Sequence, residues 1–103
     1  MKYCLIYITC GSEEEAEKIS ATLVEKKLIA CANYFPIKSV YWWKGGIEKE
    51  NEHLLLCKTQ QKLFKKITDA VLKLHSYDVP AVTMISVAKG HDAYLDWVDE
   101  NTR

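Results

Sequence analysis

Val40-Tyr41-Trp42-Trp43-Lys44-Gly45-Gly46-Ile47-Glu48 decides how this chain is organised. Lys44-Gly45-Gly46 is a hairpin signal set between two runs of β-forming residues. Upstream, residues 29–43 hold no helical period and are rich in β-branched and aromatic types. Pro36 predicts a bend or bulge in that one long strand. Downstream, Ile47 to Thr59 begins charged and ends in Leu54-Leu55-Leu56-Cys57, which predicts a solvated half beside the turn and a buried half beyond it. The N-terminal run Tyr3 to Cys10 is continuously apolar, the pattern of a strand covered on both faces, and it stops at Gly11. Ser12 followed by Glu15 is a capping-box pattern, and Glu13, Glu14 and Glu15 put negative charge at a helix start. Ala16, Ile19, Leu23 and Val24 then recur at helical spacing, predicting a helix over 12–27 with Lys26 and Lys27 in its last turn. Thr59 is the expected N-cap of a second helix whose buried face is Leu63, Ile67, Ala70, Val71 and Leu74. A loop over 75–79, a strand from Ala81 to Ala88 and a short helix from Asp92 to Glu100 complete the order. The reading is α+β: β-α-β-β-α-β plus a tail helix, a ferredoxin-like antiparallel sheet with both main helices on one face. One domain covers residues 1–103.

Composition narrows the function. Fourteen Lys and Arg balance fourteen Asp and Glu, which argues against a nucleic-acid binder working through bulk charge. No stretch approaches the roughly 20 apolar residues of a membrane span. The apolar run near the N-terminus is too short for a signal-peptide core, so a cytoplasmic location with reduced thiols is expected. Enzyme signatures are missing too. There is no GxSxG, no Cys-His signature, no phosphate-binding glycine loop, and the sole Arg is Arg103. RNA recognition on this element order wants aromatics on the third strand, where this chain has three leucines. A non-enzymatic protein is expected.

Two helices cover only one sheet face, yet Val40 to Trp43 place large apolar groups on both, and Tyr3, Tyr7, Tyr34 and Phe35 add to the surplus. The free edges of long strands invite pairing with another chain. Stripe and edges together predict a homo-oligomer, unless the terminal helix folds over the open face. The polar and aromatic group Tyr41, Trp43, Lys58, Tyr77, Asp78, Tyr94 and Trp97 is a candidate cleft between subunits. Interface packing is the plainer reading of the same residues.

For metals there is no CxxC, HxxxH or HExxH. Cys4 and Cys10 lie on one strand roughly 20 Å apart, too far to share an ion. Cys4, Cys31 and Cys57 sit in apolar runs as small buried hydrophobes. Cys10 differs, because it ends a strand just before a helix N-terminus, which is expected to lower its thiol pKa and favour the metal-binding thiolate. His75 falls at a helix end, where a capping role competes with a ligand role. His53 reads as a surface residue, and His91 beside Asp92 as a helix-start pair.

Ala30-Cys31-Ala32-Asn33, Tyr41-Trp42-Trp43-Lys44-Gly45, Lys58-Thr59, His75-Ser76-Tyr77-Asp78-Val79-Pro80 and Tyr94-Leu95-Asp96-Trp97 occur in the order that resembles the CutA family of divalent-cation-tolerance proteins, over essentially the whole chain. The resemblance implies homotrimers of ferredoxin-like subunits, similar in plan to PII signalling proteins. It also implies tolerance of copper and other divalent cations. The family's copper site uses a cysteine at the end of the first strand, matched here by Cys10. It also uses a His-His pair before Pro-Tyr: His75 matches the second, while Leu74 and Ser76 stand where His and Pro are expected. What carries over is a Cys10/His75 site needing water, a second subunit or a neighbouring carboxylate to complete it. Soft thiolate plus imidazole suits copper or zinc better than magnesium. A PII-like module binding a small organic effector between subunits is the alternative, and a purely structural trimer a third.

Overall fold

The computed structural model describes residues 2–103. Its elements are β1 (Tyr3–Cys10), α1 (Glu13–Glu25), β2 (Cys31–Trp43), β3 (Gly46–Gln60), a 3-10 turn (Gln61–Leu63), α2 (Phe64–Leu74), β4 (Val82–Ser86) and α3 (Asp92–Glu100). The strands form one antiparallel sheet in the order β2-β3-β1-β4. That is the ferredoxin-like arrangement the sequence predicts.

Period-2 alternation on β1 sorts the two faces. Cys4, Ile6, Ile8 and Cys10 are buried, and the register sets them beside Thr59, Cys57 and Leu55 of β3. Ala16, Ile19 and Leu23 of α1 and Ile67 and Val71 of α2 close over this face. Each fully buried aliphatic side chain there contributes about 1.5–3 kcal/mol. Tyr3, Leu5, Tyr7 and Thr9 point the other way, to a face that neither of these helices covers.

Local chemistry fixes the joints. The Ser12 side chain accepts from the Glu15 N–H, and the Glu15 carboxylate reaches back to the Gly11 N–H rather than to the Ser12 N–H of the usual box. Helix α1 ends sooner than the lysine pair suggests. Lys26 is its C-cap and Lys27 takes a left-handed φ of 56°. The Lys27 N–H donates to Val24 O and the Leu28 N–H to Leu23 O, a Schellman closure. Lys44 and Gly45 both have positive φ, 49° and 81°, the two-residue turn whose twist suits a hairpin.

Two expectations, for Pro36 and Thr59, are corrected. Pro36 causes no bulge: β2 and β3 pair residue for residue from Cys31↔Lys58 to Trp43↔Gly46, with Pro36 opposite His53. Its missing N–H is tolerated because β2 is an edge strand. Thr59 caps no helix; it ends within β3, and its hydroxyl donates to Leu28 O at 2.6 Å. The turn-proximal half of β3 is solvated except at Glu52, which is only 5% exposed. The terminal helix covers part of the open face. Val98 and Thr102 are buried, and the Gln60 amide donates to the Thr102 hydroxyl at 2.8 Å. Phe35, Ile85, Trp42 and Trp43 stay exposed.

Candidate functional site

Strand β1, in the sheet's interior, ends at Cys10, and the turn through Gly11 starts α1 so that Glu15 swings back over the strand end. Helix α2 runs antiparallel to deliver His75, its C-cap, to the same point. The Cys10 sulfur, a Glu15 oxygen and a His75 ring nitrogen all lie within 4.8 Å of one another. His75 Nδ1 is 3.9 Å from Glu15 Oε2. Cys10 and the His75 ring are fully buried.

Hydrogen bonds set the chemistry of each donor. His75 Nε2 lies 2.7 Å from Thr9 O, and a carbonyl only accepts, so Nε2 carries the proton. Nδ1 is then the lone-pair nitrogen; it accepts from the Tyr77 N–H at 3.1 Å and faces Glu15. Glu15 Oε1 accepts from the Gly11 N–H and Oε2 from the Ser76 N–H. Burial pushes the Glu15 carboxyl up, but the Gly11 and Ser76 donors outweigh it and hold the group below its ordinary value. Cys10 reverses the expectation for it. Burial, then the charges of Glu15 and Glu52, push its thiol up to about 12, overriding the helix N-terminus. In the protein as it stands Cys10 is a thiol, and a metal would have to displace its proton.

The donor set fits a borderline or soft divalent ion: one thiolate, one imidazole nitrogen and one carboxylate, with Nε2 already oriented by a backbone carbonyl. An ion at Nδ1 would replace the Tyr77 N–H as that atom's partner. Glu15 is the donor the spacing did not reveal. Its capping-box position was visible, but the proximity of α1's first turn to the end of α2 is a tertiary fact. Leu74 instead packs against the core. His53 is opposite Cys10 in the ladder yet is absent from the converging group, and His91 is the N-cap of α3 without a side-chain bond.

The candidate cleft residues separate into two groups. Tyr41, Trp43, Tyr77 and Asp78 line one open cavity of about 780 Å³ together with Tyr7 and Glu52. The Tyr77 hydroxyl donates to Glu52 Oε2 at 2.7 Å. Burial, then this bond, push the Tyr77 hydroxyl well above its ordinary value. The Tyr77 ring packs where a side chain on Gly11 would be, 3.3 Å from an added Cβ, and 4.7 Å from the His75 ring. Tyr77 is therefore a shared wall between cavity and donor cluster. Lys58, Tyr94 and Trp97 lie elsewhere. The Lys58 ammonium approaches the Cys31 sulfur at 3.7 Å, and Tyr94 stacks on Trp97 at 5.8 Å. Cys4, Cys31 and Cys57 are free thiols; burial pushes Cys4 up to about 11 and Cys57 up to about 12. Among the described residues, no helix is long and apolar enough to cross a membrane.

Residues 4–101 match the family model described as CutA1 divalent ion tolerance protein. The divalent-cation tolerance protein CutA of Archaeoglobus fulgidus is 47% identical over 92% of this chain and 93% of its own length. The protein of that name from Thermus thermophilus is 42% identical over 95% of this chain and 96% of its own. The chloroplastic protein CutA of Arabidopsis thaliana is longer: the chain matches it at 39% identity over 96% of its residues but spans 55% of that protein. Among solved structures, the periplasmic divalent cation tolerance protein CutA from Archaeoglobus fulgidus superposes with a TM-score of 0.97 at 44% identity, covering 98% of this chain and 99% of that one. The Thermus thermophilus structure gives 0.95 at 41% identity, covering 98% and 99%.

Proposed function

This chain belongs to the CutA1 divalent ion tolerance family, and from that premise we propose that it is a non-enzymatic homotrimer that binds a divalent transition-metal ion, copper or zinc, in each subunit through Cys10, Glu15 and His75. The carrying observation is the convergence of three donor atoms of suitable chemistry within 4.8 Å. When bound, the ion would supply positive charge that favours the Cys10 thiolate, reversing the local balance set by burial. His75 Nε2 stays tied to Thr9 O and holds the ring in place. Glu15 brings the third donor, which makes up for Leu74. The relatives are named for tolerance rather than for a reaction, which supports a binding role.

Trimer assembly is supported by the exposed apolar groups of the open face and hairpin, with Trp42 72% exposed, and by the free edges of β2 and β4. Four free thiols suit a reducing cytoplasm. Native mass spectrometry of the reduced protein, titrated with copper and then zinc, tests the proposal. The expected result is a trimer gaining up to three tightly held ions, with binding lost in Cys10→Ala and weakened in Glu15→Gln. A trimer that stays bare at tens of micromolar metal overturns the metal assignment.

A second reading is favoured by the Tyr41–Trp43–Tyr77 cavity: a PII-like module that binds a small organic effector there. Its volume of about 780 Å³ is within the usual range for small-molecule sites.

A further inference from the structure

The charge of that cavity limits what it accepts. Among the described residues, its lining holds Glu52 and Asp78 but no Lys, Arg or His. Alternation along β3 sets Glu48, Glu50 and Glu52 on one face, and the register places Tyr41 and Ser39 opposite Glu48 and Glu50 on that same side. Lys49 and Lys38 fall on the other. Glu52 is the unusual member, since it is 5% exposed and forms no ion pair among the described residues. Among the described residues its side chain makes one hydrogen bond, from the Tyr77 hydroxyl to Oε2, leaving Oε1 for whatever enters the cavity. A buried carboxylate without a counter-charge is costly, and an incoming cation relieves that cost.

The walls specify the kind of cation. Tyr7, Tyr41, Trp43 and Tyr77 offer aromatic surface around the carboxylate, and the cavity is far larger than a bare metal ion needs. Aromatic faces attract ammonium groups that carry apolar substituents. The Trp43 ring already has one ammonium nearby, the Lys44 Nζ at 5.6 Å from its centroid.

Resting on the reading of this cavity as an effector site, we propose that its ligand is an organic cation, an alkylated or primary ammonium with an apolar body, held by Glu52 and the faces of Tyr41, Trp43 and Tyr77. The site is distinct from the Cys10–Glu15–His75 cluster, although Tyr77 borders both. Three probes of matched shape test it on the full-length assembled protein: choline, the neutral 3,3-dimethyl-1-butanol and the anionic 3,3-dimethylbutanoate. Binding is read from Trp fluorescence and from indole N–H shifts in NMR spectra. Choline is expected to bind, the alcohol at least about tenfold more weakly, and the carboxylate not at all. Glu52→Gln keeps an acceptor for the Tyr77 hydroxyl and is expected to weaken choline about tenfold while leaving the alcohol unchanged. Equal binding of choline and alcohol, or tighter binding of the carboxylate, overturns the cation assignment but keeps the effector reading. Binding of none of the three overturns both. A Glu52→Gln protein whose assembly falls apart, coupled with no choline binding to wild type, assigns the carboxylate to a basic side chain of a second copy and also overturns the proposal.

Discussion

Replacing Glu15 by Gln keeps length and shape but removes the charge and one of two acceptor oxygens. In the native protein Oε1 accepts from the Gly11 N–H at 2.9 Å and Oε2 from the Ser76 N–H at 2.8 Å. An amide has one acceptor, so at one of these points its NH2 group faces another N–H. Hydrogen bonds to charged groups contribute about 1.5–3 kcal/mol and neutral ones about 0.5–1.5. Both bonds are at exposed positions, so water takes over part of the loss, and the cost is at the lower end, about 1–2 kcal/mol. For a domain of this size that lowers Tm by roughly 4–16 °C. The pH dependence has a definite sign. The folded state depresses the Glu15 pKa, so the stabilisation is present above the unfolded carboxylate value of about 4.3 and is lost as pH falls through the lower folded value. Urea denaturation at one fixed protein concentration, at pH 7 and then stepwise toward pH 3, measures the gap between wild type and variant. The gap is expected to be widest at pH 7 and to shrink below about pH 4. Equal midpoints at pH 7, or a gap that ignores pH, would refute the electrostatic account of this bridge. The same variant is expected to bind copper at least about tenfold more weakly, measured against a competing chelator.

Three further outcomes follow from other groups. Thr59→Val leaves the part-buried Leu28 carbonyl without its hydroxyl partner and is expected to cost about 1–2 kcal/mol, seen as a lower urea midpoint with an unchanged m-value. Lys2 and then Arg103 hold Asp99 down to about 2, so Asp99→Asn is expected to lower Tm at pH 7, with the difference disappearing as pH falls from about 4 toward 2 and shrinking in high salt. Because the Cys10 thiol is pushed up to about 12, zinc binding at pH 7 is expected to release about one proton per site, read from calorimetry in buffers of different ionisation heat; no release would exclude Cys10 as a thiolate ligand.

The fold was legible because its signals are local and agree with one another. The apolar run of β1, the 3.6-residue spacing of Ala16, Ile19 and Leu23, and the Lys44-Gly45 turn each point to one element, and the order of elements leaves few ways to pair them. The run reads as covered on both faces, whereas helices α1 and α2 cover only the face of Cys4, Ile6, Ile8 and Cys10. The misreadings were at places where a residue's partner is distant in sequence. Thr59 looks like a cap until Leu28, 31 residues away, takes its hydroxyl. Pro36 looks like a bulge unless β2 is known to be an edge strand.

The site was half legible for the same reason. Cys10 and His75 were recognisable as donors by residue type and by position at element ends, but their state depends on what surrounds them. A helix N-terminus stabilises a thiolate when the thiol is solvated and no anion is near. Here the thiol is fully buried and the negative charges of Glu15 and Glu52 act on it, so the helix field loses and the proton stays. Glu15 was hidden by having a sufficient local explanation, since an acidic residue three positions after a Ser is what a helix start calls for. Its side chain instead bridges the backbone at Gly11 to the backbone at Ser76, and this brings the first turn of α1 to the end of α2. The bridge that orders the loop after α2 is thus made by the same carboxylate that completes the donor set. An ion that draws Glu15 away from the Gly11 and Ser76 N–H groups would loosen the loop carrying Tyr77, and with it the wall of the neighbouring cavity.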